Sequence, residues 1–161
     1  MNTYLRMAEE TDMMLLFEWA NEMSVRQNSF TQNEISYEEH KKWFQALQQD
    51  PKRRQYIYML GDEAIGQARM ELDRETARIS YSIRKDRRGM GFGTLLLREA
   101  CVKAKQDFPN IRTFVGEVKP DNKASQRAFF SVGFQERKYT YEASADQFDS
   151  NYVGGGNFFN Q

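Results

Sequence analysis

The chain has 161 residues, 40% of them hydrophobic and 29% charged, and its 23 basic side chains balance 23 acidic ones. That length suits one domain with a core of its own, and the neutral balance gives no bulk field for nucleic acid or an anionic membrane surface. The single cysteine, Cys101, excludes a disulfide framework or a cysteine-ligated metal site within one chain and points to a reducing, cytoplasmic setting. From the N-terminus onward, MNTYLRMAEE holds no apolar stretch of signal-peptide length, and no run is long enough to span a bilayer.

Residues 3–8 read as a strand. Thr11 then caps a helix with Met13, Leu16, Ala20 and Met23 on one face, ending near residues 21–24, and the pair Met13 and Met14 reads as helix packing. A polar connection, SVRQNSFTQNEI, leads to Ser36 and Glu39, a capping box that opens a second helix running to about Gln49. Its buried stripe is His40, Trp43, Phe44 and Leu47, and Pro51 lies just beyond its end. QYIYML is a strand by its aromatic and β-branched content, Gly61 and Asp62 turn the chain, and AIGQARMEL returns with Gly66 marking a bulge. After a turn at residues 73–75, ARISYSI alternates Ala77, Ile79, Tyr81 and Ile83 against Arg78, Ser80 and Ser82, a third antiparallel strand. A helix follows with Leu97, Ala100, Cys101, Ala104 and Phe108 on one face; then IRTFVGEV reads as a strand, Asn122 caps a helix, Gly133 ends it, and FQERKYTYEA supplies one last strand. Residues 1–143 form the expected domain, and the polar, glycine-rich tail 144–161 reads as a terminal strand or a frayed end.

The stretch RRGMGFGTLL places Gly89, Gly91 and Gly93 between a strand and a helix, with Arg84, Lys85, Arg87 and Arg88 around them. A helix N-terminus exposes unpaired amides and partial positive charge, glycine lets a ligand approach the backbone, and guanidiniums add charge. A phosphate-bearing ligand is the expected guest, and Gly91→Val is expected to remove its binding with little loss of fold. No Gly-Lys-Ser/Thr follows, so a nucleoside-triphosphate P-loop is excluded. The glycine spacing and the antiparallel meander before it argue against a nicotinamide or flavin site.

Arg88-Gly89-Met90-Gly91-Phe92-Gly93 resembles the acyl-CoA signature of the GNAT superfamily of N-acetyltransferases, and NKASQRAFFSVGF resembles its second motif, an Asn-capped helix ending in Gly-Phe. The resemblance covers residues 3–143. It implies an α+β fold with a central mixed, mostly antiparallel sheet flanked by helices on both faces, and acetyl-CoA (coenzyme A) as donor. It further implies that backbone amides of Gly89, Met90, Gly91, Phe92, Gly93 and Thr94 bind the pyrophosphate with Arg87 and Arg88. Ser82 and Ile83 would pair with the pantetheine arm, and Asn122, Ser125 and Phe129 would line it. EWANEMSVRQNSFTQNEISYEEHKKWF and EVKPDNKAS are similar to the enzymes of pseudaminic acid and spore-coat sugar pathways, which implies a nucleotide-linked amino sugar as acceptor. Acetyltransferases of ribosomal-protein N-termini share the same outline, so a protein N-terminus or a small amine is the rival acceptor, and a non-catalytic acyl-CoA sensor the rival of another class.

N-acetylation needs a neutral amine, a donor for the developing oxyanion and an acid for the thiolate. Phe129 stands where many members of the resembled family carry a tyrosine acid, so either the thiolate leaves with help from water or another residue substitutes, with Tyr81 and Ser82 as the catalytic candidates. Glu117, interrupting a strand otherwise patterned for burial, is the candidate base if partly desolvated and otherwise a surface or ion-paired glutamate; Glu71 is the reserve. Arg26, Asn28, Ser29 and Phe30 make a candidate acceptor wall, with Arg69 as a second cation for a substrate diphosphate. His40 reads first as a packed residue bonded to backbone and second as a residue lining the acceptor. Neither a nucleic acid nor a membrane partner is expected; a homodimer stays open, and no metal is expected.

Overall fold

The computed structural model describes residues 2–137 and 140–149. Its sheet has seven strands in the order β1-β2-β3-β4-β5-β7-β6. β1 (Thr3–Met7) pairs antiparallel with β2 (Arg53–Leu60), β2 with β3 (Glu63–Asp73), and β3 with β4 (Thr76–Ile83). The register shifts between Tyr58 and Met59 opposite Gly66, which is the bulge that glycine announces. A Cβ at Gly66 would fall 2.8 Å from the Ser82 carbonyl oxygen, so the close approach of β3 to β4 requires its absence. β4 then pairs parallel with β5 (Thr113–Glu117) after a crossover through α4 (Phe92–Asp107). The expected single last strand is instead two, β6 (Gln135–Arg137) and β7 (Thr140–Ser144), paired antiparallel. Only β7 alternates inward, burying Tyr141 and Ala143, whereas all of β6 is exposed at the sheet edge.

The N-terminal helix also starts and stops differently from the sequence reading. Asp12, not Thr11, sets its start: the buried carboxylate accepts from the Glu9 amide at 2.8 Å and from both Arg6 terminal nitrogens at 2.6 and 2.9 Å. α1 (Met13–Ala20) ends where Asn21 turns aside to hold both backbone groups of Ile35 at 2.8 Å. A separate short α2 (Met23–Gln27) follows, capped by the Glu22 carboxylate, and it leaves Met23 exposed instead of on the α1 stripe. α3 (Tyr37–Gln49) has the expected Ser36/Glu39 capping box.

α4 and α5 (Lys123–Val132) cover one face of the sheet over a core that includes Tyr58, Met70, Leu96, Leu97, Phe114 and Phe129. Each fully buried side chain of this kind contributes about 1.5–3 kcal/mol. Cys101 lies in this core, where burial pushes its thiol up in pKa and removes it from chemistry. Ala145 and Phe148, placed by sequence in the polar tail, fold as a 3₁₀ turn into the same core; residues 150–161, the rest of that tail, lie outside the described residues. On the other face a smaller cluster joins Leu16 and Phe44 to Ile57 and Met59. α3 packs over β2, so the outward residues of β4, Arg78 and Ser80, stay exposed.

Candidate active site

β4 and β5 pair only from Thr76–Thr113 to Arg78–Val115. β5 pairs with β7 on its other edge along its whole length, but beyond Arg78 the segment from Ile79 to Ile83 has no partner on the β5 side, so the sheet forks. A fork leaves a row of backbone donors and acceptors open to an extended ligand. Because side chains alternate, adjacent residues of β4 serve the two faces of the fork: Tyr81 points toward α5 and Ser82 toward the face of α1 and α3.

On the first face the Tyr81 hydroxyl lies 3.1 Å from Ser125 Oγ on α5, and Asn122 caps that helix by accepting from the Ser125 amide at 3.2 Å. Burial pushes the Tyr81 pKa up, partly opposed by the Ser125 hydrogen bond, so its proton is retained at neutral pH. Phe129, placed by resemblance along the coenzyme arm, is instead only 2% exposed and wedged into the core between Tyr141, Phe134 and Tyr81. Gly116 makes that possible, since a Cβ there would land on the Phe129 ring.

The loop between β4 and α4 behaves as the glycine pattern suggests. Gly89 and Gly91 are left-handed, at φ 74° and 83°, with open space where a side chain would project, and the first turn of α4 has no side-chain cap. Left-handed backbone costs other residues about 1–2 kcal/mol, so the expectation that Gly91→Val spares the fold is corrected: the backbone needs that glycine as well as the ligand. Gly93 is helical, and a Cβ there would meet Tyr81 at an ordinary 3.5 Å. Thr94 lies half-buried in the first turn, while the Met90 side chain is exposed.

The arginines around the loop are tethered. Glu63 pairs with both Arg84 and Arg87, and Arg88 reaches Glu22 at 3.0 Å and the Ile83 carbonyl oxygen at 2.8 Å. Arg87 Nε is the one buried side-chain polar atom among the described residues without a hydrogen-bond partner. An uncapped helix start, two bare left-handed residues and an orphaned guanidinium nitrogen fit the diphosphate of coenzyme A.

On the second face, α2 spans the fork. Arg88 ties its start through Glu22 and Ser24, and Lys119 Nζ donates to the Gln27 carbonyl oxygen at 3.2 Å at its end. Partial burial works to raise the Glu22 pKa, but hydrogen bonds from Ser24 and Arg88 hold it down to about 2. Arg26 is spent inside this roof: its guanidinium donates to the carbonyl oxygens of Ala20, Thr31 and Asn33 and to Ser29 Oγ, so neither Arg26 nor Ser29 is free for an acceptor. Burial lowers the Arg26 pKa. Asn28 and Phe30, 62% exposed, remain available on the outside of the loop.

Below the roof, β3 and β4 present Gln67 opposite Ser82, Arg69 opposite Ser80 and Glu71 opposite Arg78. Arg69 pairs with Glu71 at 3.3 Å and lies 5.2 Å from the Trp43 ring centre; burial lowers its pKa. Glu117 is not desolvated: its side chain is 39% exposed and pairs with Arg78 at 2.6 Å, bridging β4 and β5 where they part. His40 does not reach this surface. It is 3% exposed among Phe17, Trp43 and Phe44, with Nε2 donating to the Met13 carbonyl oxygen at 2.9 Å, and burial lowers its pKa.

Sequence reasoning missed Gln55, Gln67, Glu22, Ser24, Glu63 and Lys119. For Gln55 a signal existed, an amide in phase with Ile57 and Met59 where the alternation calls for an apolar residue, whereas Gln67 falls in phase with Arg69 and Glu71 and gave none. The others act across distant segments, as with Arg88 and Glu22, 66 residues apart.

A forked mixed sheet with an anion-binding helix start beside the fork and a second face for an acceptor defines an acyl-CoA-dependent acyltransferase. The family profile described as "Acetyltransferase (GNAT) domain" matches residues 2–135, so the chain belongs to the GNAT acetyltransferase family. It is an acetyl-CoA-dependent N-acetyltransferase. Solved structures with the same fold include the aminoglycoside acetyltransferase AAC(6')-Ib in complex with ribostamycin and coenzyme A, at 19% identity over 96% of this chain and 99% of that one, with a TM-score of 0.82. The spermidine N-acetyltransferase from Vibrio cholerae, in complex with CoA and spermine, gives a TM-score of 0.82 at 16% identity over 91% of this chain and 97% of that one. A search of the curated proteins found no match. Among the described residues no helix is long and apolar enough to cross a membrane.

Proposed function

We propose that the chain transfers acetyl to the amino group of a nucleotide-linked amino sugar, by direct attack in a ternary complex. The observation that carries the acceptor class is that the two carboxylates beside the fork, Glu71 and Glu117, are already paired with arginines. A polycation such as spermine or an aminoglycoside gains most from unpaired carboxylates, whereas an amino sugar joined to a diphosphate gains from cations. Arg69 pairs through Nε and Arg78 through Nη1, so each guanidinium keeps N–H donors for a phosphate; Lys119 adds a charge with no carboxylate partner among the described residues, and the Trp43 ring offers an apolar surface beside Arg69.

In this reading the amine nitrogen enters under α2 and forms the C–N bond at the carbonyl carbon while the C–S bond breaks. The ammonium proton passes to water, since Glu117 stands exposed in its ion pair. Tyr81 gives its hydroxyl proton to the departing sulfur from the α5 face, in the role that Phe129 cannot fill. Amides of the first turn of α4, with Arg87, hold the diphosphate and leave the fork edge of β4 for the pantetheine arm.

The test is coenzyme A release with UDP- and CMP-linked amino sugars, set against spermidine, kanamycin and an N-terminal peptide. Turnover with a nucleotide-linked amino sugar at a kcat/KM at least tenfold above the others is expected. Preference for the polyamine or the aminoglycoside would overturn the acceptor assignment, and no turnover with any amine despite tight coenzyme binding would favour a sensor.

A further inference from the structure

Gln55 and Gln67 lie on the acceptor face beside Ser82, and neither has a part in binding the coenzyme. Gln55 is 2% exposed, and its Nε2 is held by the backbone carbonyl oxygens of Ala68 and Tyr56 at 3.2 and 3.4 Å. Two carbonyl oxygens can only accept, so that atom is a nitrogen and the amide cannot be flipped. The Gln55 Nε2 also lies 2.7 Å from Gln67, and therefore meets the Gln67 oxygen. The other end of the Gln67 amide, 3.0 Å from Ser82 Oγ, is then a nitrogen and a donor. The direction of every hydrogen bond in the row is thus fixed from the β-ladder outward.

The consequence falls on Ser82. Its contact with Gln67 consumes a lone pair, so its O–H hydrogen is left for something else. The hydroxyl is half-buried at the fork, on the unpaired part of β4, one residue from Tyr81 and on the opposite face. We propose that Ser82 donates this hydrogen bond to the acetyl carbonyl oxygen of the bound thioester, and that Gln67, oriented by Gln55, is the positioning residue that keeps the donor available. Ser82 stays protonated throughout. It stabilises the oxygen on which negative charge gathers as the amine adds, and the sulfur is left to Tyr81. Pre-orientation matters because a hydroxyl free to rotate spends part of its time facing the wrong partner.

The inference rests on acetyl transfer from acetyl-CoA and not on the identity of the acceptor, so its test uses no nucleotide sugar. Gln67→Glu is the decisive variant. A carboxylate accepts from Gln55 as before, yet it also accepts from Ser82, turning the hydroxyl hydrogen away from the fork without removing an atom from the core. Isotope-edited infrared spectra of bound [1-¹³C]acetyl-CoA read the carbonyl directly: Ser82→Ala and Gln67→Glu are both expected to move the C=O band to higher wavenumber. With hydroxylamine as acceptor, both are expected to lower kcat by about 10²-fold with KM for acetyl-CoA unchanged. In the Ser82→Ala background, Gln67→Glu is expected to add no further loss, because it acts through the hydroxyl. Where Gln67→Glu does not fold, Gln67→Met frees the hydroxyl to rotate, and a partial band shift with a partial loss of kcat is expected. An unmoved carbonyl band in Ser82→Ala would overturn the proposal. So would an undiminished effect of Gln67→Glu without the serine, which would mark plain charge repulsion, or a loss confined to the acceptor KM, which would place the hydroxyl on the acceptor.

Discussion

The glycines of the coenzyme loop separate into those the backbone needs and one that only a ligand needs. Gly93 has helical geometry, and an added methyl would meet the Tyr81 ring at 3.5 Å, an ordinary contact. Gly93→Ala therefore removes unfolded-state freedom and a helix-interior glycine at no packing cost, a gain of about 0.5–1 kcal/mol. For a chain of this size that is a Tm rise of about 1–4 °C. The same methyl stands beside the amides of the first turn, so coenzyme A affinity is expected to fall at least tenfold, about 1.4 kcal/mol. Gly91→Ala, at φ 83°, should do the reverse to stability, losing about 1–2 kcal/mol although nothing lies within 4 Å of the new Cβ. Scanning calorimetry of the free protein and titration calorimetry with coenzyme A separate the two effects. A Gly93→Ala variant that is stabilised and binds coenzyme A with unchanged Kd would refute the claim that main-chain NH groups of this turn hold the diphosphate.

Glu117→Gln is expected to keep kcat within about threefold in the coenzyme A release assay, far from the roughly 10²-fold contribution of a general base; a larger loss, with the acidic limb of the pH–rate profile abolished, would restore it as the base. Gly116→Ala drives a methyl into the Phe129 ring and is expected to cost about 1–3 kcal/mol by urea melts, with part recovered when Phe129→Leu is added. His40 is buried neutral, so its folded pKa lies below the ordinary value of 6.5 and the unfolded chain binds the proton more readily. Stability is then full above about pH 6.5 and falls as pH drops below it, and the fall should be smaller in His40→Gln; an identical pH dependence of Tm in both proteins would contradict this.

The sequence announced the meander and the glycine loop clearly because their signals are local. Alternation in ARISYSI, the turn at Gly61 and Asp62, the Ser36/Glu39 box and the Asn122 and Gly133 caps each lie within a few residues of what they control. The split of FQERKYTYEA into β6 and β7 was not legible, since a short exposed edge strand has no buried face to pattern. The start of α1 was misplaced for a related reason: Arg6, from the neighbouring strand, decides which acid begins the helix. At the site, residue type was read correctly and commitment was not. Arg26 and Arg88 have the chemistry of phosphate ligands, but one holds the last carbonyl oxygen of α1 and two of the following loop, and the other a glutamate 66 residues away. Which donors are already occupied is a property of the folded surface. Phe129 shows the same limit, its place in the core being set by a missing side chain on β5.

The parting of β4 from β5 gives each reactant its own doorway. With the proposed placement of the two ligands, the thioester arm arrives past α4 and α5 and the amine from beneath α2, and they meet only across the fork. On the proposed reading neither has to leave for the other to enter, so either order of arrival is productive and the spent thiol can depart while the acetylated product is still seated. Traffic through this enzyme then resembles two rooms sharing a window, where crowding on one side leaves the queue on the other undisturbed.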